Sequence, residues 1–188
     1  ISLCSNTTGH SNTAIGYESL KANTTGYQNT AIGVCALHTN TIGIENVALG
    51  HQALRLNTTG VNNTALGQES LTYNTTGVNN TGVGRRALQS NTIGIENTSI
   101  GSATMEVNTT GQCNVAVGSN SLKTNTIGSE NTAIGNSALY NNTTSVRNTA
   151  IGSKTLYTNT TGSSNTAIGA YAMFANTIGN YNTAVGYY

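Results

Sequence analysis

The chain has 188 residues, of which 7% are charged, and its formal net charge is +1. Nucleic-acid binding needs clustered lysine and arginine to neutralise phosphates, and the only basic pair, Arg85 and Arg86, does not provide such a cluster. No run of about 18 apolar residues is present, so no segment is expected to cross a membrane as a helix. The 22 glycines, the absence of proline and the abundance of Asn, Thr and Ser favour turn-rich β structure over helix.

One five-residue string organises the chain. Asn12-Thr13-Ala14-Ile15-Gly16 returns every 17 residues, in eleven copies without insertion or deletion, up to residues 182–186. A fixed period without slippage is the signature of a solenoid, in which each repeat forms one coil stacked on the previous one. We therefore predict an all-β parallel solenoid, or β-roll, as a single domain over residues 1–188. Disorder is the alternative for so polar a sequence, but it gives no reason for an exact period.

The first part of each repeat is predicted to be a strand. When Asn12 is numbered position 1, position 3 is small, position 4 is aliphatic and position 5 is glycine in every copy. Neighbouring side chains of a strand point to opposite faces, so positions 2 and 4 share one face and position 3 takes the other. We expect the bulky face to line the coil interior and the small face to approach a neighbouring chain. The reverse assignment is the alternative.

The asparagines and glycines mark the predicted corners. Glycine at positions 5 and 15 is expected to supply positive φ, and Ser145 is the one departure at position 15. The asparagines of positions 1 and 12 suit corners, and stacking once per coil would join them into two hydrogen-bonded ladders. The position-1 ladder comprises Asn12, Asn29, Asn46, Asn63, Asn80, Asn97, Asn114, Asn131, Asn148, Asn165 and Asn182. The position-12 ladder comprises Asn6, Asn23, Asn40, Asn57, Asn74, Asn91, Asn108, Asn125, Asn142, Asn159 and Asn176.

The remaining positions describe the outside of the coil. Positions 6, 7, 10, 11 and 17 vary freely and are expected to face water, whereas position 9 is always Leu or Met in the complete repeats. So few large aliphatic residues per coil make a thin core, which favours association with further chains. The partly apolar columns at positions 14 and 16 are candidate interface: Ile42, Ile93, Ile127 and Ile178, and Ile44, Val61, Val78, Ile95 and Val146.

No catalytic or metal-binding constellation is present in the sequence. Asp is absent, and the six Glu occupy variable positions. Three of them share position 17 but lie two or three coils apart: Glu45, Glu96 and Glu130. The histidines (His10, His38, His51) form no column, and neither do the cysteines (Cys4, Cys35, Cys113). We predict neither an enzyme nor a cofactor, metal or disulfide site.

Glycosylation sequons need separate consideration. Seven position-12 asparagines lie in Asn-Thr-Thr, but four repeats carry Asn-Thr-Ile and keep the Asn without the sequon. This persistence favours a structural ladder over a sugar site. Asn62, Asn79 and Asn141 stand in sequons at variable positions and are the better candidates for glycosylation.

Position 13 supports an alternative function. It is Thr in all eleven copies, from Thr7 to Thr177, and stacked threonine arrays occur in ice-binding solenoids. Such surfaces usually need two threonine ranks on one face, whereas the flanking positions 11 and 15 are variable and glycine. A phage tail-fibre shaft is a further alternative, which differs from a cell-surface fibre in its owner and not in its physics.

The strings NTAIG-x-x-[AS]-L and NTTG-x-x-NTAIG resemble the head repeats of trimeric autotransporter adhesins, the YadA-like family, and related repetitive phage and surface fibre proteins. The resemblance covers essentially the whole chain, and Ala14-Ile15-Gly16 followed by Ser19 is its most specific part. It implies a left-handed parallel β-roll, three chains side by side, and an extracellular adhesive or spacer role. The family's head repeat is shorter than the 17 residues found here. The coil shape and the trimer that the resemblance implies are therefore those of a shorter repeat.

The functional prediction is an extracellular structural or adhesive fibre segment. Because the chain starts and stops within a repeat, we expect it to be part of a longer array. Its expected partners are copies of itself, as a homotrimer or fibre, and a host matrix or surface glycan. Aromatic residues at variable positions are candidate contacts: Tyr17, Tyr73, Tyr140, Tyr157, Phe174 and Tyr188.

Overall fold

The computed structural model describes residues 1–188 and confirms the all-β solenoid with one coil per 17 residues. Ten complete coils, residues 12–181, stack on one another, and eleven strands form one parallel sheet in sequential order. The strands are β1 Thr13–Ile15, β2 Thr30–Ile32, β3 Val47–Leu49, β4 Thr64–Leu66, β5 Thr81–Val83, β6 Thr98–Ile100, β7 Val115–Val117, β8 Thr132–Ile134, β9 Thr149–Ile151, β10 Thr166–Ile168 and β11 Thr183–Val185.

Successive coils stack in strict register. Thr13 pairs with Thr30 and Ile15 pairs with Ile32, and the same offset of one repeat holds along the sheet. Only 20 of the 128 backbone hydrogen bonds lie within the strands, so most coil-to-coil bonds belong to the turns. The coils are therefore joined around their whole perimeter, and not along the sheet alone.

The structure reverses the predicted inside and outside of the strand. Ala133 is fully buried, whereas its neighbour Ile134 is 38% exposed. Ile15, in the first strand, is 58% exposed. Only the small position-3 side chain fits inside, because position 8 packs beside it. Ser121, at position 8 of the preceding coil, donates from Oγ to the carbonyl of Ala133 at 2.9 Å.

The core contains one large aliphatic side chain per coil. It is the position-9 residue, as in Leu20, Leu122 and Met105, all fully buried. The small residues of positions 3 and 8 and the asparagines of positions 1 and 12 fill the rest of the interior.

Left-handed backbone turns the chain at three positions that the sequence does not reveal. Positions 7, 9 and 17 have positive φ in residues other than glycine, as in Glu18 (55°), Leu20 (49°) and Gln28 (56°). This conformation costs roughly 1 kcal/mol or more per residue. Because positions 7 and 9 both turn in this way, positions 8 and 9 can both point inward, which an extended strand does not allow.

The glycine prediction is correct at position 5 and wrong at position 15. Gly33, at position 5, has a φ of +137°. Gly26, at position 15, has no positive φ, but a side chain there would collide with the carbonyl oxygen of Gly43 in the next coil. Glycine is therefore needed at position 15 for close approach and not for its backbone conformation.

Candidate functional site

The position-12 asparagines form a continuous ladder inside the solenoid. Asn40 Nδ2 donates to Asn23 Oδ1 of the preceding coil at 2.9 Å and to the carbonyl of Gly43 at 3.0 Å. The same pair of bonds recurs from coil to coil, as at Asn108. Each amide thus closes its own corner and binds the neighbouring coil.

The position-1 asparagines form a second ladder with an additional bond. Asn63 Nδ2 donates to Asn46 Oδ1 at 3.1 Å and to the carbonyl of Gly77 at 2.8 Å. The backbone N–H of Asn63 also donates to Asn46 Oδ1, at 3.0 Å. A buried amide with all these partners stabilises the stack, since an unpaired one would cost about 1–3 kcal/mol.

The glycosylation sequons fall into two groups, those whose asparagine lies in a ladder and those whose asparagine lies outside the ladders. In the ladders the acceptor nitrogen of a glycan, Nδ2, is engaged inside the chain, as at Asn57. Asn62 and Asn79 are exposed and belong to neither ladder, and Asn141 is half-buried. The three variable-position sequons are therefore the more accessible ones.

The threonines of position 13 use their hydroxyls within the chain. Thr58 Oγ1 donates to the carbonyl of Thr75 in the next coil at 3.0 Å, and Thr92 Oγ1 donates to that of Thr109 at the same distance. These hydroxyls strengthen the stack and do not form a free hydroxyl array at this position.

The outward face of the sheet, which we call the strand face, consists of positions 2 and 4 of β1–β11. Its 22 side chains are nine Thr, five Val, six Ile and two Leu, with no charge among them. They are exposed or half-buried in every strand. The sequence prediction missed this surface because it placed position 4 inside.

A second surface, which we call the variable face, consists of positions 7 and 10 of the coils. Its central part is an ion-pair network in which Arg86 lies 2.9 Å from Glu69 and 3.6 Å from Glu106, and Lys123 lies 3.5 Å from Glu106. The signal in the sequence was the placement of opposite charges one repeat apart, or one repeat and three residues apart. All three carboxylates of this face are paired with a cation along the rod.

The first coils of the variable face carry a smaller network. Lys21 Nζ pairs with Glu18, and His38 Nε2 lies 3.3 Å from the same carboxylate. The hydrogen bond from Lys21 holds the pKa of Glu18 below its usual range, and the same bond raises the pKa of Lys21. The buried Nδ1 atom of His38 has no hydrogen-bond partner.

The last coils of the variable face carry stacked aromatic rings. The ring of Tyr157 lies between those of Tyr140 and Phe174, with centroid distances of 5.1 and 5.3 Å. Lys154 Nζ lies 5.7 Å from the centroid of Tyr171. A cleft of about 610 Å³ adjoins this stack, and it is lined by Tyr171, Met173, Phe174, Ala175, Asn176 and Tyr188.

The titratable side chains do not come together as a catalytic or metal centre. No three His, Cys, Asp or Glu side chains form a group that could hold a metal ion. His10 stacks on Tyr27, and the three cysteines are free. Cys113 Sγ lies 3.4 Å from Glu96 Oε2, and desolvation, followed by this contact, raises the pKa of the Cys113 thiol.

The chain forms no helix with the length and hydropathy needed to cross a bilayer. No family model, curated protein or solved structure matches the chain. Its functional assignment therefore depends on its own geometry.

Proposed function

We propose that this chain is a structural segment of an extracellular fibre, a stiff rod that spaces and displays surface contacts for adhesion. The observation that carries the proposal is the unbroken stacking of eleven strands, with both asparagine ladders running along the same axis. Parallel strands lie about 4.8 Å apart, so the rod is roughly 50 Å long.

Stiffness follows from how neighbouring coils are joined. Each coil is bound to the next by backbone bonds around the perimeter, by two asparagine amides and by a threonine hydroxyl. Bending the rod would break several of these bonds together, whereas a flexible linker has none to break. A rod of this kind acts by position, without any catalytic group.

The variable face is the surface on which we place adhesive contacts. Its residues differ from coil to coil, while the interior columns are constant. The aromatic stack of Tyr140, Tyr157 and Phe174 gives ring edges and two phenol groups suited to a host matrix protein or a surface glycan. The proposed assembly is a parallel homotrimer of the kind formed by the YadA-like head repeats that the strings resemble, and the proposed location is a cell or virion surface.

Electron microscopy of the purified chain, combined with a binding assay, tests this proposal. We expect thin rods, and we expect beads coated with the chain to be retained on immobilised matrix protein or glycan. Replacing Tyr140 and Tyr157 with serine should abolish retention while the rods persist. Serine at Val61 and Val78 of position 16 is the matched control and should leave retention unchanged. Compact particles, or equal retention of all three proteins, would contradict the proposal.

A further inference from the structure

We propose that the strand face, positions 2 and 4 of β1–β11, is the surface against which a second copy of this chain packs. This assignment rests on the proposed fibre function, in which chains associate side by side, and it names the residues that make the contact. The sequence alone favoured other columns, namely positions 3, 14 and 16. Position 3 is buried inside the coil and is not available.

The chemistry of the strand face is that of an interface core. Its position-4 side chains are all Ile, Leu or Val, and several stay exposed in the single chain, among them Ile15, Leu49, Ile100 and Ile151. All 22 residues except the two leucines are β-branched, so their side chains lose little conformational freedom when they are covered. No charge has to be desolvated, which removes the largest cost of burying a protein surface.

The size of the strand face matches that of the largest apolar patch that a typical monomer leaves open, and such patches are often functional. Eleven strands about 4.8 Å apart and three residues of about 3.3 Å give a flat area of roughly 500 Å² before side-chain relief is added. The largest apolar patch on a typical monomer is about 300–600 Å² and is often functional. A standard interface buries about 800 Å² per partner, so residues beside the strands must contribute the remainder.

The occupant that fits this face best is another copy of the chain. The strand-face pair recurs once per coil with the register of Thr13 on Thr30 and Ile15 on Ile32. A second copy has the same repeat distance, so one favourable contact between two coils is repeated at every coil along the rod. A partner with a different repeat would match at one coil and lose the match at the next.

The other surfaces are less suited to this role. The variable face carries paired charges, such as those of Arg86 and Glu69, which would have to be desolvated. The position-14 column is exposed but mixes Ile with Thr, with isoleucine in only four coils. The strand face is the one surface that is uncharged and aliphatic in every coil.

A pair of matched double variants tests the assignment. Ile100→Lys with Ile134→Lys places two charges in the middle of the strand face. Ser102→Lys with Asn136→Lys places the same charges in the same coils, two residues further along the chain, beyond Gly101 and Gly135. The mass in solution is measured by light scattering over a range of concentrations, and circular dichroism shows whether each protein folds.

The unmodified chain is expected to have a mass of at least twice 19.3 kDa. The isoleucine variant should fall to the single-chain mass at the same concentration, while the Ser102/Asn136 control should keep the mass of the assembly. If the lysine variant does not fold, Ile100→Thr with Ile134→Thr replaces it, since threonine already occupies position 2 of this face. This milder variant should raise the dissociation constant at least tenfold.

Three outcomes would overturn the assignment. They are a single-chain mass for the unmodified protein, equal dissociation of the control variant, and unchanged association of both isoleucine variants. Electron micrographs distinguish failure of this assignment from failure of the proposed function. Rods one chain wide would contradict the assignment and would still support the proposal of a fibre segment. A monomer that halts ice growth through its strand face would contradict both proposals.

Discussion

Asn159 Nδ2 donates to Asn142 Oδ1 at 3.2 Å, and this is the longest amide-to-amide bond of the position-12 ladder, whose other bonds measure 2.8–2.9 Å. The cause is Ser145, which replaces the glycine of position 15 in this coil. Its hydroxyl lies against Asn142 Oδ1, and it accepts bonds from Asn148 at 2.9 Å and from Asn159 at 3.3 Å. The serine hydroxyl is therefore hydrogen-bonded to asparagines of both ladders.

Ser145 also removes backbone hydrogen bonds between its coil and the next. One coil earlier, the N–H groups of Ile127 and Gly128 both donate to the carbonyl of Thr143. The corresponding N–H groups of Thr144 and Ser145 make no bond to the next coil. The junction at Ser145 therefore lacks two backbone hydrogen bonds that the preceding junction has.

Ser145→Gly should stabilise the chain. It restores two backbone hydrogen bonds, each worth about 1 kcal/mol, so we expect the free energy of unfolding to rise by about 1–2 kcal/mol. Urea denaturation followed by circular dichroism measures the change. The reciprocal variant Gly111→Ser should lower the free energy of unfolding by a similar amount or more, and a stabilising effect of that serine would contradict the account.

Asn97→Asp tests the position-1 ladder. The Nδ2 group of Asn97 donates to Asn80 Oδ1 and to the carbonyl of Gly111, and a carboxylate at this place would lose both bonds and face two acceptors. We expect a loss of about 3 kcal/mol or more, because a buried carboxylate with no cation to pair with is added to the lost bonds. Asn62→Asp is the control on the exposed surface and should change the free energy of unfolding by less than about 0.5 kcal/mol.

Ala133→Leu and Ile134→Thr test the orientation of the strand. Ala133 faces the filled interior, so the larger side chain should cost about 3 kcal/mol through overpacking. Ile134 faces outward, so its replacement should cost little when the chain is diluted to single molecules. Thermal melting at low concentration compares the two. If Ile134→Thr lowers the melting temperature more than Ala133→Leu does, position 4 faces the interior, as the sequence analysis expected.

The pH dependence of stability should include a contribution from Glu18. Its pKa is lowered in the folded chain, chiefly by the hydrogen bond from Lys21, so the folded state favours the carboxylate. This contribution is fully present above the pKa of Glu18 in the unfolded chain and is lost as the pH falls through the lower folded pKa. NMR titration of the Glu18 carboxyl carbon measures it. Lys21→Met should return the pKa towards its usual range, whereas Lys154→Met should leave it unchanged.

Sequence reasoning predicted the 17-residue coil but not its left-handed turns or the ion pairs on its surface. The period, the parallel stacking and the glycine at position 5 follow directly from the spacing of residues such as Asn12 and Gly16. The positive φ at Glu18 and Leu20 left no trace in composition, because position 7 varies freely and leucine is not typical of left-handed backbone. The ion pairs of the variable face were visible only as scattered charges until the coils were stacked.

The sequence by itself determined that positions 2 and 4 share one face of each strand and that position 3 takes the other. A side-chain period of two dictates this in any extended backbone. Only the tertiary structure decided which of the two faces is enclosed. The left-handed turns bring Leu122 and Ser121 inward together, and these, with the asparagine ladders, occupy the interior. The remaining space admits Ala133 and leaves Ile134 outside.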